Sequence, residues 1–210
     1  MFYPRISRRG TYRSPSKHGG FYADYRAYAV EISEDCKMRC VYCDARVSEN
    51  LGGDSFELDH FRPKKHFPHL ERDPSNLVLA CPACNRFKSA HWPAGTTTSD
   101  TFVKGCGFVD PFTTNQLDYF AINELGEISA KVEPASYVIE LLSLNRAARN
   151  CLRRRRLLLK LQKSLLIKIS SKTQRIVNLI SNGEIQRDEI IDRLENLMRL
   201  QKQLASTLDI

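Results

Sequence analysis

The sequence predicts an α+β fold: a cysteine-rich segment folded round a closed metal site, then a β-hairpin, then a long helical tail. Three observations carry this. Two CxxC pairs, Cys40-Val41-Tyr42-Cys43 and Cys81-Pro82-Ala83-Cys84, enclose nearly all the chemistry-bearing residues. Residues 117–122 and 127–133 flank Asn123-Glu124-Leu125-Gly126, the pattern of a hairpin with a Gly-containing turn. After Pro134 the chain is dense in Leu, Ile, Lys and Arg and almost free of breakers as far as Ser181.

Residues 1–20 are rich in Arg, Ser and Gly and read as a flexible basic arm. Residues 21–35 mix aromatic and polar side chains, a short strand or turn leading into the cysteines. Residues 21–133 form the expected chemical domain, with 94–100 a loop by composition. Residues 134–210 form a basic helical region. Asn182-Gly183 stops the first long helix, and residues 184–207 are again helical in pattern, so the last two helices are expected to pair as an antiparallel hairpin. Leu152, Leu159, Leu166 and Ile169 are expected to face a core.

The chain of 210 residues is long enough for a core without disulfides. No run approaches the roughly 18 apolar residues of a membrane span, and no apolar segment follows the basic N-terminus, so a cytoplasmic protein is expected. Net charge is +8 and unevenly spread: residues 145–175 hold eleven basic side chains and no acidic ones. Such a stretch fits a polyanion, most simply nucleic acid. A solvated helix face or an acidic partner is the plainer alternative. The Arg run 153–156 covers all sides of a helix, and nothing resembles a base-reading helix, so this region is expected to position nucleic acid rather than read it.

Seven cysteines are an odd number, and without an export signal they read as metal ligands in a reducing compartment. Cys40, Cys43, Cys81 and Cys84 together suit a tetrahedral structural Zn²⁺ with no open position. Cys36 is an alternative ligand; Cys106 and Cys151 read as ordinary buried thiols.

Between and after the knuckles come Asp59-His60, Asn76-Leu77 and Cys84-Asn85-Arg86-Phe87-Lys88. This order resembles the zinc-containing branch of the HNH endonucleases, whose ββα-metal fold sets two antiparallel strands and a helix around one catalytic divalent ion. His91-Trp92-Pro93, Val109-Asp110-Pro111, the hairpin and the segment from Ile139 to Arg146 with its Arg cluster resemble one subgroup more loosely. That subgroup includes HNH subunits of Septu-type and some retron anti-phage systems, which work beside an ATPase.

The resemblance implies phosphodiester hydrolysis of DNA, with His60 as general base. It implies Asp59 and Asn85 as oxygen ligands of a catalytic Mg²⁺ or Mn²⁺, and Asn76 as the residue that fixes the His or its loop. Asn85 stands where the name-giving members have His, an HNN variant. Arg62, Lys64, Arg86, Lys88 and Arg153, Arg154, Arg155 and Arg156 are expected phosphate contacts. His66, His69 and His91 read as surface-loop residues and Trp92 as a packing residue. Two alternatives stay open: an RNA-directed nuclease, and a nonenzymatic zinc-stabilised nucleic-acid-binding or partner-docking protein.

Overall fold

The computed structural model describes residues 2–49 and 56–207. It divides into two compact units, Met1–Leu152 and Arg153–Ile210, a boundary some twenty residues later than the composition shift at Pro134.

The first unit begins with helix α1 (Ala29–Asp35). A hairpin follows, strands β1 (Glu57–His60) and β2 (Leu77–Ala80), antiparallel in the register Glu57↔Ala80 to His60↔Leu77. Helix α2 (Pro82–Lys88) comes directly after β2 and packs on β1, with Pro82 in its first turn, where no backbone donor is lost. All four residues of β2 are buried, which is why its sequence is a continuous apolar run rather than an alternating one. Strands β3 (Phe102–Val103) and β4 (Cys106–Gly107) form a minimal second pair. Strands β5 (Phe120–Ile122) and β6 (Ile128–Ala130) are the expected second hairpin.

Helix α3 (Ala135–Leu141) packs on β4 and β6. The nearly breaker-free stretch from 135 to 181, in a tail for which the sequence predicts two or three helices in all, is divided after it, giving three. Ser143 adopts a positive φ of 45°, and the Asn145 side chain bonds both the N–H (2.7 Å) and the carbonyl (2.8 Å) of Ile128. Anchoring that turn to the hairpin outweighs helix propensity there. Helix α4 (Ala147–Ser181) then runs for ten turns into the second unit, and α5 (Arg187–Ser206) follows. Gly183, at φ +68°, ends α4 in a conformation that favours glycine. The two helices are antiparallel: Gln162 donates to the Thr207 carbonyl at 2.9 Å, while Lys172, Arg175 and Ile176 share a cavity with Arg193 and Asn196.

The N-terminal segment is not loose. Tyr3 and Ile6 are buried, and the basic side chains find partners on α1 and the hairpin. Arg9 pairs with Asp35 (3.0 Å) and Glu34 (2.9 Å), Arg13 with Glu31 (3.0 Å), and Arg8 donates to the carbonyls of Pro74 and Leu77. Arg9 and Arg13 pair with the acidic side chains of α1, while Arg5 and Lys17 stay exposed. In α4 the expected core positions also differ. Leu159 and Leu166 are each 54% exposed, Leu152 and Ile169 are half-buried, and the buried residues are Arg153, Leu165 and Ile176. A two-helix unit covers only a narrow stripe of a long helix, so most of α4 stays open. Among the described residues no helix is long and apolar enough to cross a membrane.

Candidate active site and metal centre

The four knuckle cysteines converge. Their sulfurs all lie within 4.8 Å of one another, all four residues are buried, and Cys43 Sγ and Cys81 Sγ are 3.7 Å apart. A tetrahedral zinc with Zn–S bonds of about 2.3 Å sets its sulfurs roughly 3.8 Å apart, so the donor set fits Zn²⁺. Local geometry makes the first knuckle: Asp44, at φ +58°, donates its N–H to the Cys40 carbonyl, and the Cys40 N–H bonds the Ala45 carbonyl. The Val41 N–H bonds the Leu79 carbonyl, which ties this knuckle to β2. Cys36 is outside the cluster. Its sulfur accepts the Leu79 N–H at 3.3 Å, and burial pushes its thiol up to about 12. Cys106 and Cys151 are exposed, contrary to expectation, because each lies on a segment with one face open.

Two arginines to which the sequence reading gave no role at the metal centre, Arg146 and Arg149, stand by the cysteines. Arg146 Nη2 lies 3.6 Å from Cys84 Sγ, and the Arg149 guanidinium, though half-buried, is held charged by all four sulfurs. Four thiolates around one Zn²⁺ would carry a net charge of about −2, which these cations would offset.

His60 ends β1 and is 6% exposed. Its Nε2 lies 2.8 Å from the Glu71 carbonyl oxygen, and the Tyr25 ring stands edge-on to it at 4.7 Å. A carbonyl can only accept, so Nε2 carries the hydrogen and Nδ1 keeps its lone pair. Burial holds the imidazole below its ordinary pKa. Asn76 lies immediately before β2 and clamps the loop after His60: its Oδ1 accepts the Arg62 N–H and its Nδ2 donates to the Arg62 carbonyl, both at 2.9 Å.

Asp59 and Lys88 have partners other than those expected. The Tyr42 hydroxyl donates to Asp59 Oδ2 at 2.6 Å, and Lys88 Nζ lies 3.1 Å from Oδ2 and 3.3 Å from Oδ1. Lys88 has no exposed surface, and its ammonium also donates to the His60 carbonyl at 2.8 Å. It therefore reaches no phosphate: at the end of α2 the Lys88 side chain turns inward to β1. Burial raises the Asp59 carboxyl and lowers the Lys88 ammonium, and their mutual attraction opposes both shifts. Asn85 lies one turn earlier on α2, half-buried, and its Nδ2 is 2.5 Å from Glu57 Oε2. The strand's period of two, which puts Glu57 on the same face as Asp59, is the signal that could have found Glu57.

The remaining expected phosphate contacts divide. Lys64 and Arg86 are exposed, Lys64 pairing with Glu71 at 2.8 Å. Arg62 is drawn back over Trp92 (5.0 Å) and Phe67 (5.3 Å) and bonds the Ser99 carbonyl. Arg154 and Arg155 are exposed and Arg156 is half-buried. Arg153 is 1% exposed and is not a surface contact, since four consecutive residues on one helix cannot all face water when one side is covered. His66, His69 and His91 are exposed, His66 bonding the Ala90 carbonyl at 2.9 Å. Trp92 packs among Phe61, Phe67 and Phe108.

A β-hairpin followed by a helix, a histidine at the end of the first strand, an asparagine on the helix and a four-cysteine clasp are the arrangement that the HNH resemblance implies. The sequence comparisons agree. Residues 40–91 match the HNH endonuclease family, and the chain carries an HNH domain. The chain is also 38% identical over 62 residues to the Septu protein PtuB of Bacillus thuringiensis. That stretch covers 30% of this chain and 23% of the relative. No solved structure gives a significant match.

Proposed function

We propose that this chain is a metal-dependent HNH nuclease of the HNN variant that hydrolyses phosphodiester bonds in DNA. His60 is its general base, and it serves anti-phage defence in the cytoplasm beside an ATPase partner. The observation that carries the reading is the state of His60: a shielded, neutral imidazole, oriented by the Glu71 carbonyl, with Nδ1 left to accept a proton. In that role Nδ1 takes the proton of the attacking water as its oxygen bonds to phosphorus, the bond from phosphorus to the leaving ester oxygen breaks, and that oxygen takes up a proton from solvent. Asn76 holds the loop so that the ring keeps its aim. Asn85 would be among the oxygen donors that hold a divalent ion, which when bound would supply charge neutralisation at the phosphate and at the leaving oxygen.

The exposed Lys64, Arg86, Arg154 and Arg155 supply cations for the nucleic-acid backbone. Exposed apolar residues along α4 and α5, among them Ile167, Val177, Ile180 and Met198, suit a protein partner. The Septu likeness supports a place in defence. A nonenzymatic zinc-stabilised binder draws on one observation, the closure of Asp59 by Lys88.

The test is plasmid cleavage by zinc-loaded protein, wild type beside His60→Ala, with Mg²⁺, Mn²⁺ and EDTA, and with an RNA substrate in parallel. Metal-dependent cutting lost in His60→Ala supports the nuclease. Cutting of RNA alone moves the substrate to RNA. Identical behaviour of both proteins in the presence of the partner favours the binder.

A further inference from the structure

The carboxylate expected to hold the catalytic ion does not fit that task. Both oxygens of Asp59 are engaged, by the Tyr42 hydroxyl and by an ammonium with no exposed surface that is also bonded to the His60 carbonyl. A divalent ion on Asp59 has to displace a positive charge already seated there, leaving it buried without a counter-ion.

Two residues earlier on the same face of β1, Glu57 is exposed and has its Oε2 2.5 Å from the Asn85 amide nitrogen. A half-turn of that amide exchanges its nitrogen for its oxygen. Two oxygens there need to move apart by only about 0.5 Å to span the edge of an octahedron with metal–oxygen distances of about 2.1 Å, an edge of roughly 3.0 Å. Both residues line a cavity of about 480 Å³, with Tyr25, Arg26 and Ser33 among its other walls. That room suits an ion that keeps several waters. Tyr25 is also the ring packed against His60, so the cavity and the general base share a wall.

We propose that Glu57 and Asn85 form the divalent-cation site of this chain, and that Asp59 is a positioning residue that fixes β1 to α2 through Lys88. The purpose of the site rests on the nuclease reading; the binding itself does not.

The test is Mn²⁺ binding to the zinc-loaded full chain, read by loss of the free-ion electron paramagnetic resonance signal without nucleic acid. The variants are Glu57→Gln, Asn85→Asp, and the charge-balanced pair Asp59→Asn with Lys88→Met. Wild type is expected to take up one Mn²⁺. Glu57→Gln should weaken it by at least about tenfold with zinc content and melting temperature unchanged, because Glu57 is exposed. Asn85→Asp should tighten it, and the Asp59/Lys88 pair should keep it.

Equal binding by wild type and Glu57→Gln, or no Mn²⁺ uptake by wild type, overturns the site. So does binding lost in the Asp59/Lys88 pair yet kept in Glu57→Gln. Should that double variant fail to fold, Glu57→Gln and Asn85→Asp decide the question alone. Cleavage that persists in Glu57→Gln but not in His60→Ala overturns the site and leaves the nuclease standing. Mn²⁺ uptake that depends on Glu57 without any cleavage does the reverse.

Discussion

Lys88→Met is expected to destabilise the first unit by about 3–5 kcal/mol, the usual cost of stranding one member of a buried ion pair. The magnitude follows from burial. An exposed pair at the same 3.1 Å separation is worth about 0.2–1 kcal/mol, but Lys88 has no exposed surface and Asp59 is 6% exposed. The Tyr42 hydroxyl stays on Asp59 in the variant, which places the loss nearer the lower bound. Adding Asp59→Asn removes the stranded charge and should restore much of the stability. The assay is urea unfolding with zinc in excess, followed by the single tryptophan, Trp92, which reports the first unit. With a urea dependence of about 2 kcal/mol per molar, the midpoint should fall by roughly 1.5–2.5 M. The pH dependence has a definite sign. In the variant the folded-state pKa of Asp59 is raised above its unfolded value, so the loss should be largest at neutral pH and shrink as the carboxyl protonates at acid pH. A midpoint change worth less than about 0.5 kcal/mol, or a double variant less stable than the single one, refutes the reasoning.

Zinc analysis should find one ion per chain, and Cys43→Ser or a strong chelator should release it and unfold the first unit, seen as a change in Trp92 emission. Asn76→Ala removes two bonds to the Arg62 backbone, so about 1–3 kcal/mol of stability should be lost together with cleavage rate, measured by melting and by the plasmid assay. Burial lowers the His60 pKa, so cleavage should hold as pH falls to about 6.5 and fail only below it; His60 protonation should also subtract stability below the unfolded value, and an NMR titration of its ring reads the pKa directly. Each exposed arginine removed at 154 or 155 should reduce the slope of log affinity against log salt by about 0.9 for DNA, measured by filter binding.

Much of the metal centre was legible because its signal is local. A CxxC knuckle brings two sulfurs together within four residues, and only the pairing of two knuckles needs the fold. The second hairpin and the stop at Gly183 were legible for the same reason: turn chemistry acts over a few residues. Charge was the poorest guide. Arg8, Arg9 and Arg13 looked like a loose basic arm, but the partners of Arg9 and Arg13 on α1 are 18 to 26 residues away and those of Arg8 are 66 and 69 away, and only the fold brings them close. Lys88 looked like a phosphate contact by spacing alone, and Arg153 looked like one of four equal arginines.

By itself, then, the sequence determined the four cysteines that converge, the hairpin and helix that follow one another around His60, and the HNH domain they belong to, since those depend on neighbours in the chain. The tertiary structure decided which charges face outward. It turned Lys88 onto Asp59, set Glu57 beside Asn85 and placed Arg146 and Arg149 near the cysteines. The physical reason is that a charge acts through what surrounds it, and burial and long-range pairing are set by the packing of segments far apart in the chain.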